Sequence, residues 1–190
     1  MKESAFVKIF EEAAKEALGE TAIVKRGESL YYSLSLDRKL CLSTPNTQKP
    51  KRGSSAFETD ICIFERKEMI DFPRVVIEFK ERITTHDILT YSAKAGKHKQ
   101  IYPCLRYGLL ASELDSIPGR FFTHNESLDF FIAAKNYKEP RRVRILALQL
   151  IERELKISKT LEEIHFGGKK VDYFCRDILF QKFNKKGNGA

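Results

Sequence analysis

At 190 residues, 42% hydrophobic and with 14 phenylalanines, the chain carries enough apolar material for one packed domain. No apolar run approaches the ~20 residues that span a bilayer, and the amphipathic, acidic N-terminus is unlike a secretory signal, so a cytoplasmic protein with no membrane partner is expected. The 34 basic residues outweigh 26 acidic ones to give a net charge of +8, which favours a polyanionic partner, nucleic acid before others.

In chain order, residues 4–18 are predicted as a helix: Ser4 can cap it, Phe6, Ile9, Phe10, Ala13, Ala14, Ala17 and Leu18 recur at helical spacing, and Gly19 marks the stop. Residues 21–42 alternate loosely around Leu30-Tyr31-Tyr32-Ser33-Leu34 and are predicted as one or two strands. The stretch 43–55, with two prolines and a glycine, is predicted as a loop. Strands over 56–66 and 73–80 follow as a hairpin whose turn ends at Pro73. Thr84 or Thr85 caps a helix to about Tyr102, Pro103 ends it, and 105–112 forms a strand, so the strand–helix–strand crossover makes the flanking strands parallel. In 120–136, Phe121-Phe122 is predicted in a strand and Leu128–Ala134 in a short helix. Residues 141–155 show an amphipathic helix with a basic first turn, then a turn at His165–Lys170 and an apolar stretch to Phe180. With no repeat and no linker, 1–190 is predicted as a single α/β domain.

Two of these strands carry charge where charge is costly. Asp60 precedes Ile61-Cys62-Ile63-Phe64, and Glu78 and Lys80 end Val75-Val76-Ile77-Glu78-Phe79-Lys80. Side chains two apart on a strand share a face, so Glu78 and Lys80 project together while Ile77 and Phe79 enter the core. Two carboxylates and a lysine on one sheet face form a site for a hard divalent cation and a polarised phosphate.

The succession helix, strands, Thr59-Asp60, Glu78-Phe79-Lys80, helix, strand resembles the core of the PD-(D/E)XK nucleases over residues 4–112, with 113–190 as a helical, basic extension. Thr59 stands where that family usually has proline. The resemblance implies a restriction-endonuclease-like core, a central mixed β-sheet flanked by helices, and Mg²⁺-dependent hydrolysis of double-stranded DNA, with Mn²⁺ as substitute. Asp60, Glu78 and the Phe79 carbonyl would be metal ligands, and Lys80 would orient or deprotonate the attacking water. It also implies a first-helix glutamate in the site, for which Glu11 is the candidate, with Glu12 and Glu16 as competitors. A small chain of this kind most resembles a type II restriction endonuclease working as a homodimer. A structure-specific repair or recombination nuclease, or a silent DNA-binding module on the same fold, are the alternatives.

DNA contacts are expected from Lys49, Lys51 and Arg52, from Lys94, Lys97 and Gln100 on one helix face, and from Arg141, Arg142 and Arg144. Arg106 and Tyr107 could reach the DNA backbone or simply be packed. Cys41, Cys62, Cys104 and Cys175 lack paired spacing and are expected to be buried, reduced thiols. His86, His98, His124 and His165 have no zinc-ligand spacing. No glycine-rich phosphate loop occurs, so no nucleotide cofactor is expected.

Overall fold

The computed structural model describes residues 3–20, 22–43, 49–50, 55–68 and 70–173. Helix α1 (Glu3–Leu18) buries Phe6, Val7, Phe10, Ala13, Ala14 and Leu18 along one stripe, and Gly19 at φ 52° ends it. Strand β1 (Ile23–Arg26) follows, then a two-stranded pair, β2 (Ser29–Tyr31) with β3 (Ala56–Glu58), then the β4 (Ile61–Lys67) and β5 (Ile70–Lys80) hairpin. Helix α2 (Thr85–Ile101) crosses to β6 (Arg106–Ala111), α3 (Gly119–His124) leads to β7 (Phe130–Ala133), and α4 (Pro140–His165) closes the described fold.

The protein is α/β, with a central mixed sheet of order β1-β4-β5-β6-β7. β1, β4 and β5 pair antiparallel; β5, β6 and β7 run parallel. Ile61, Ile63, Val75, Ile77 and Phe79 point into a core with α1 and α4, where Phe6 and Phe10 meet the Phe79 ring at 6.2 and 5.4 Å. Cys62, Val76, Tyr107 and Leu109 point the other way, against Ile88 and Ala95 of α2 and Phe121 of α3. A sheet covered on both faces explains why β4 and β5 are continuous apolar runs.

Several expectations need correction. The single strand predicted over 56–66 is two, because Thr59 leaves the ladder: its N–H and Oγ1 both donate to the Glu28 carbonyl, at 2.8 and 2.9 Å. Pro73 lies inside β5, not at a turn; the register slips by one between Ile63 and Phe64, and a proline without an N–H is tolerated at such a bulge. The 120–136 assignments are reversed: Phe121-Phe122 are helical and Phe130–Ala133 is a strand. The determinant is tertiary, since the Phe130 ring occupies the space where a Cβ on its neighbour Gly108 would fall. Helix α4 runs ten residues past Leu155, its last turns held by Ser158 bonding the Cys104 carbonyl and Glu162 bonding Arg74. Cys62 and Cys104 are buried free thiols, whereas Cys41 is exposed; Cys175 lies outside the described residues.

Candidate functional site

One step beyond the Ile61↔Ile77 pair, the antiparallel register sets Asp60 across from Glu78. Asp60 sits in the bend that Thr59 creates, and its Oδ2 accepts the Phe79 N–H at 2.8 Å. That bond fixes the Asp60 carboxylate beside the end of β5. Its other oxygen, Oδ1, has no hydrogen-bond partner among the described residues.

Glu78 is 2% exposed and faces α2. Its Oε1 accepts from Lys94 Nζ at 2.6 Å and from the Tyr107 hydroxyl. Among the described residues its Oε2 has only the Asp60 N–H, at a long 3.4 Å. Burial raises the Glu78 pKa most, the Lys94 ammonium opposes that, and the Asp60 carboxylate adds to the rise; the net direction is upward. Burial and the neighbouring Glu78 push the Tyr107 hydroxyl well up, so it remains a donor.

These groups border a cleft of about 580 Å³ lined by Ala56, Phe57, Glu58, Asp60, Glu78, Thr90, Tyr91, Ala93, Lys94 and Lys97. Helix α2 forms one wall, started firmly by Thr84 and Asp87 in a reciprocal capping box. Lys94 also donates to the Glu58 carbonyl at 2.5 Å, tying α2 to β3. Two cations approach the Tyr91 ring, with Lys80 Nζ at 5.6 Å and Lys94 Nζ at 5.8 Å from its centroid. Lys97 is exposed at the rim, 5.3 Å from the Tyr32 ring, and Tyr32 stacks on Phe57 at 4.0 Å. Behind Phe57, His98 is fully buried, and burial and Lys94 lower its pKa to about 3, so it is neutral packing against Tyr107.

The structure therefore brings Asp60, Glu78, the Phe79 backbone, Lys80, Lys94 and Lys97 to one end of the sheet. Glu11 lies about 12 Å along α1 from Glu3 by helical rise and bonds Lys15 at 2.6 Å. Glu12 approaches Lys8 and Glu16 pairs with Arg144. The first-helix carboxylate nearest this end is Glu3, whose N–H bonds Glu81; burial raises its pKa, with Lys80 lowering and Asp60 raising it. Gln100 is exposed on α2. Arg141, Arg142 and Arg144 are exposed on α4, against the opposite sheet face; Arg142 pairs with Glu139 and Arg144 with Glu16. Lys49 is exposed, and Lys51 and Arg52 lie outside the described residues. Arg106 is packed between Asp129 and Glu154 at the far end of β6.

Sequence reading missed Glu3 and the bonds from Lys94 and Tyr107 to Glu78. The only available signal was parity: Val76 pairs with Tyr107 and Glu78 with Leu109, which sets Tyr107 on the face of Glu78 once the parallel register is known.

Among the described residues, no group of three or more His, Cys, Asp or Glu side chains is arranged to hold a metal ion, so Asp60 and Glu78 are a pair. No helix among those residues is long and apolar enough to cross a membrane. No family model matches the chain, and no curated protein matches its sequence.

Proposed function

We propose that the chain is a Mg²⁺-dependent DNA endonuclease with a restriction-endonuclease-like core. The observation that carries this reading is the pairing of Asp60 with a buried Glu78 at the wall of an open cleft lined by Lys94 and Lys97, with Lys80 beside Tyr91 of that wall. Two carboxylates at one spot raise each other's energy unless a cation joins them. Among the described residues, each keeps one oxygen without a short hydrogen bond, Asp60 Oδ1 and Glu78 Oε2. A pair of carboxylates, with a backbone carbonyl such as that of Phe79 and several waters, suits Mg²⁺ or Mn²⁺ better than a cation needing a full protein cage. When bound, the metal supplies Lewis acidity and a bound water of lowered pKa.

The remaining steps belong to the chain. The Phe79 N–H holds Asp60 in place, and the Tyr107 hydroxyl fixes the Glu78 rotamer. Lys94 favours the ionised form of Glu78, against the burial that raises its pKa. Lys80, on the face of Glu78 and partly exposed, orients or deprotonates the attacking water and offsets charge on the phosphate. Lys97 at the rim meets the DNA backbone. The form implied by the PD-(D/E)XK resemblance is a type II restriction enzyme acting as a homodimer.

Incubation of the purified chain with a long plasmid and Mg²⁺ tests this. Discrete fragments are expected. Cleavage confined to branched or flapped substrates would assign a repair role, and intact but shifted DNA would reduce the chain to a binder. Asp60→Ala and Glu78→Ala should each lose cleavage while retaining DNA binding and a native circular dichroism spectrum; full activity in either variant would overturn the site.

A further inference from the structure

Between β2 and β3, residues 33–43 are all exposed and form a small arm. Leu36 and Leu42 bridge, Ser43 N–H bonds the Ser35 carbonyl at 2.8 Å, and the two serine hydroxyls meet at 2.7 Å. Asp37 builds the tip, its Oδ1 accepting the N–H of Lys39 at 2.8 Å and of Cys41 at 3.0 Å. Four leucines stand in solvent along this arm: Leu34 is 37% exposed, Leu36 59%, Leu42 51%, and Leu40, at the tip, 79%. Leu40 also adopts φ 60°, a left-handed conformation that a branched apolar residue rarely takes. An exposed apolar tip in a strained backbone gains nothing from the fold itself.

Charge selects the occupant. Arg38 and Lys39 precede Leu40 at the tip, and neither has a carboxylate partner among the described residues. The arm's one acid, Asp37, is committed to backbone N–H groups. A second copy would bring the same cationic tip on a chain of net charge +8, whereas a polyanion complements it. The arm also grows from the cleft wall: Tyr32 N–H bonds the Ser55 carbonyl at 2.9 Å, and its ring stacks on Phe57, which lines the cleft.

We infer that the 33–43 arm is a DNA wedge, with Leu40 entering between base pairs while Arg38 and Lys39 hold the flanking phosphates. Apolar side chains inserted at a base step unstack and unwind the duplex, and basic neighbours anchor them. This rests on the nuclease reading for its substrate and sharpens it: the enzyme distorts duplex DNA beside the site.

The test is a plasmid-unwinding assay on the full-length Asp60→Asn chain in chelator, which prevents cleavage. Closed-circular plasmid is relaxed by a metal-independent topoisomerase with the protein bound, then deproteinised and resolved on a gel. The expected result is a shift of the topoisomer distribution towards negative linking difference, lost in Asp60→Asn/Leu40→Ser at equal plasmid occupancy. Arg38→Ala/Lys39→Ala should weaken plasmid binding and make what remains less dependent on salt, because fewer phosphates are neutralised. Bound plasmid with no shift, or an unchanged shift in the leucine variant, overturns the wedge and leaves the nuclease reading standing. Absence of plasmid binding overturns both. Dissociation of a dimer by Leu40→Ser in sedimentation would assign the leucines to a second copy and overturn the wedge.

Discussion

Strand β5 carries two buried charges of opposite sign, and their surroundings differ in kind. Arg74 is fully buried, bonds Glu65 through Nε and Nη2 and Glu162 through Nη2, and stacks over Phe72 at 4.6 Å; Nη1 alone lacks a partner. Lys159 and Lys67 extend the network to Glu65 and Glu162, at 2.7 and 2.5 Å. Burial raises the pKa of both glutamates, but bonds from Lys159 and Arg74 on Glu65, and from Lys67 and Arg74 on Glu162, bring each below its ordinary value. Glu78, four residues along the strand, has a like-charged neighbour in Asp60, a net raised pKa and an open cleft beside it. Burial of charge alone therefore does not mark a site. The markers are a neighbour of the same sign and space for a ligand.

The largest effect separating the two ends is expected at Arg74. Arg74→Met leaves two carboxylates facing each other without their shared guanidinium, and breaking a buried pair from one side costs about 3–5 kcal/mol. Chemical denaturation should show that loss, while cleavage per folded molecule stays at the level of the parent chain. A fall in activity beyond the unfolded fraction would tie this network to the site and break the contrast.

Lys80→Ala comes next and should act in the opposite sense. Cleavage should fall at least about a hundredfold, the lower end for a positioned proton-transfer group. Stability and metal affinity should be nearly unchanged, because Lys80 is partly exposed and lies beside the Tyr91 ring. Single-turnover cleavage beside a thermal melt measures both. Wild-type cutting would reduce Lys80 to surface charge.

The smallest effect concerns pH. A carboxyl whose pKa is raised by folding gives stability that is present below its unfolded value and lost as pH rises through the folded value. The native chain should therefore lose stability relative to Glu78→Gln as pH climbs above 4.5. Glu65→Gln should show the reverse, since its folded pKa is lowered: the native chain's advantage is present above 4.5 and fades as pH falls. Denaturation midpoints across pH read both. Parallel curves for the two variants would erase the distinction.

How much of this was legible in the sequence follows from where the determinants lie. Asp60, Glu78 and Lys80 could be found because alternation and apolar runs are local, and two-residue spacing fixes which side chains share a face. The capped α2 and its parallel crossover to β6 were readable for the same reason, as Thr84, Pro103 and the strand-sized gaps are local signals. Strand β7 was not, because what makes Phe130–Ala133 extended is its pairing with β6 and the vacancy at Gly108. The basic face of α2 makes Lys94 a DNA-contact candidate; that its ammonium reaches Glu78 depends on how α2 lies across the sheet. That Glu3 stands nearer Lys80 and Glu81 than Glu11 does depends on how α1 lies on the sheet, which is a tertiary fact. The role of Thr59 is visible only in three dimensions, where its N–H and hydroxyl both bond the Glu28 carbonyl and a proline would lack that N–H.

The central claim is that Asp60 and Glu78 together bind a divalent cation, and calorimetric titration with Mn²⁺ in the absence of DNA tests it most directly. The account predicts saturable binding to the native chain, retained in Lys80→Ala and in folded Arg74→Met, lost in Asp60→Ala and Glu78→Gln, and weakening as acidification protonates Glu78 above the ordinary 4.5. No binding to the native chain, or equal binding in Glu78→Gln, would contradict it.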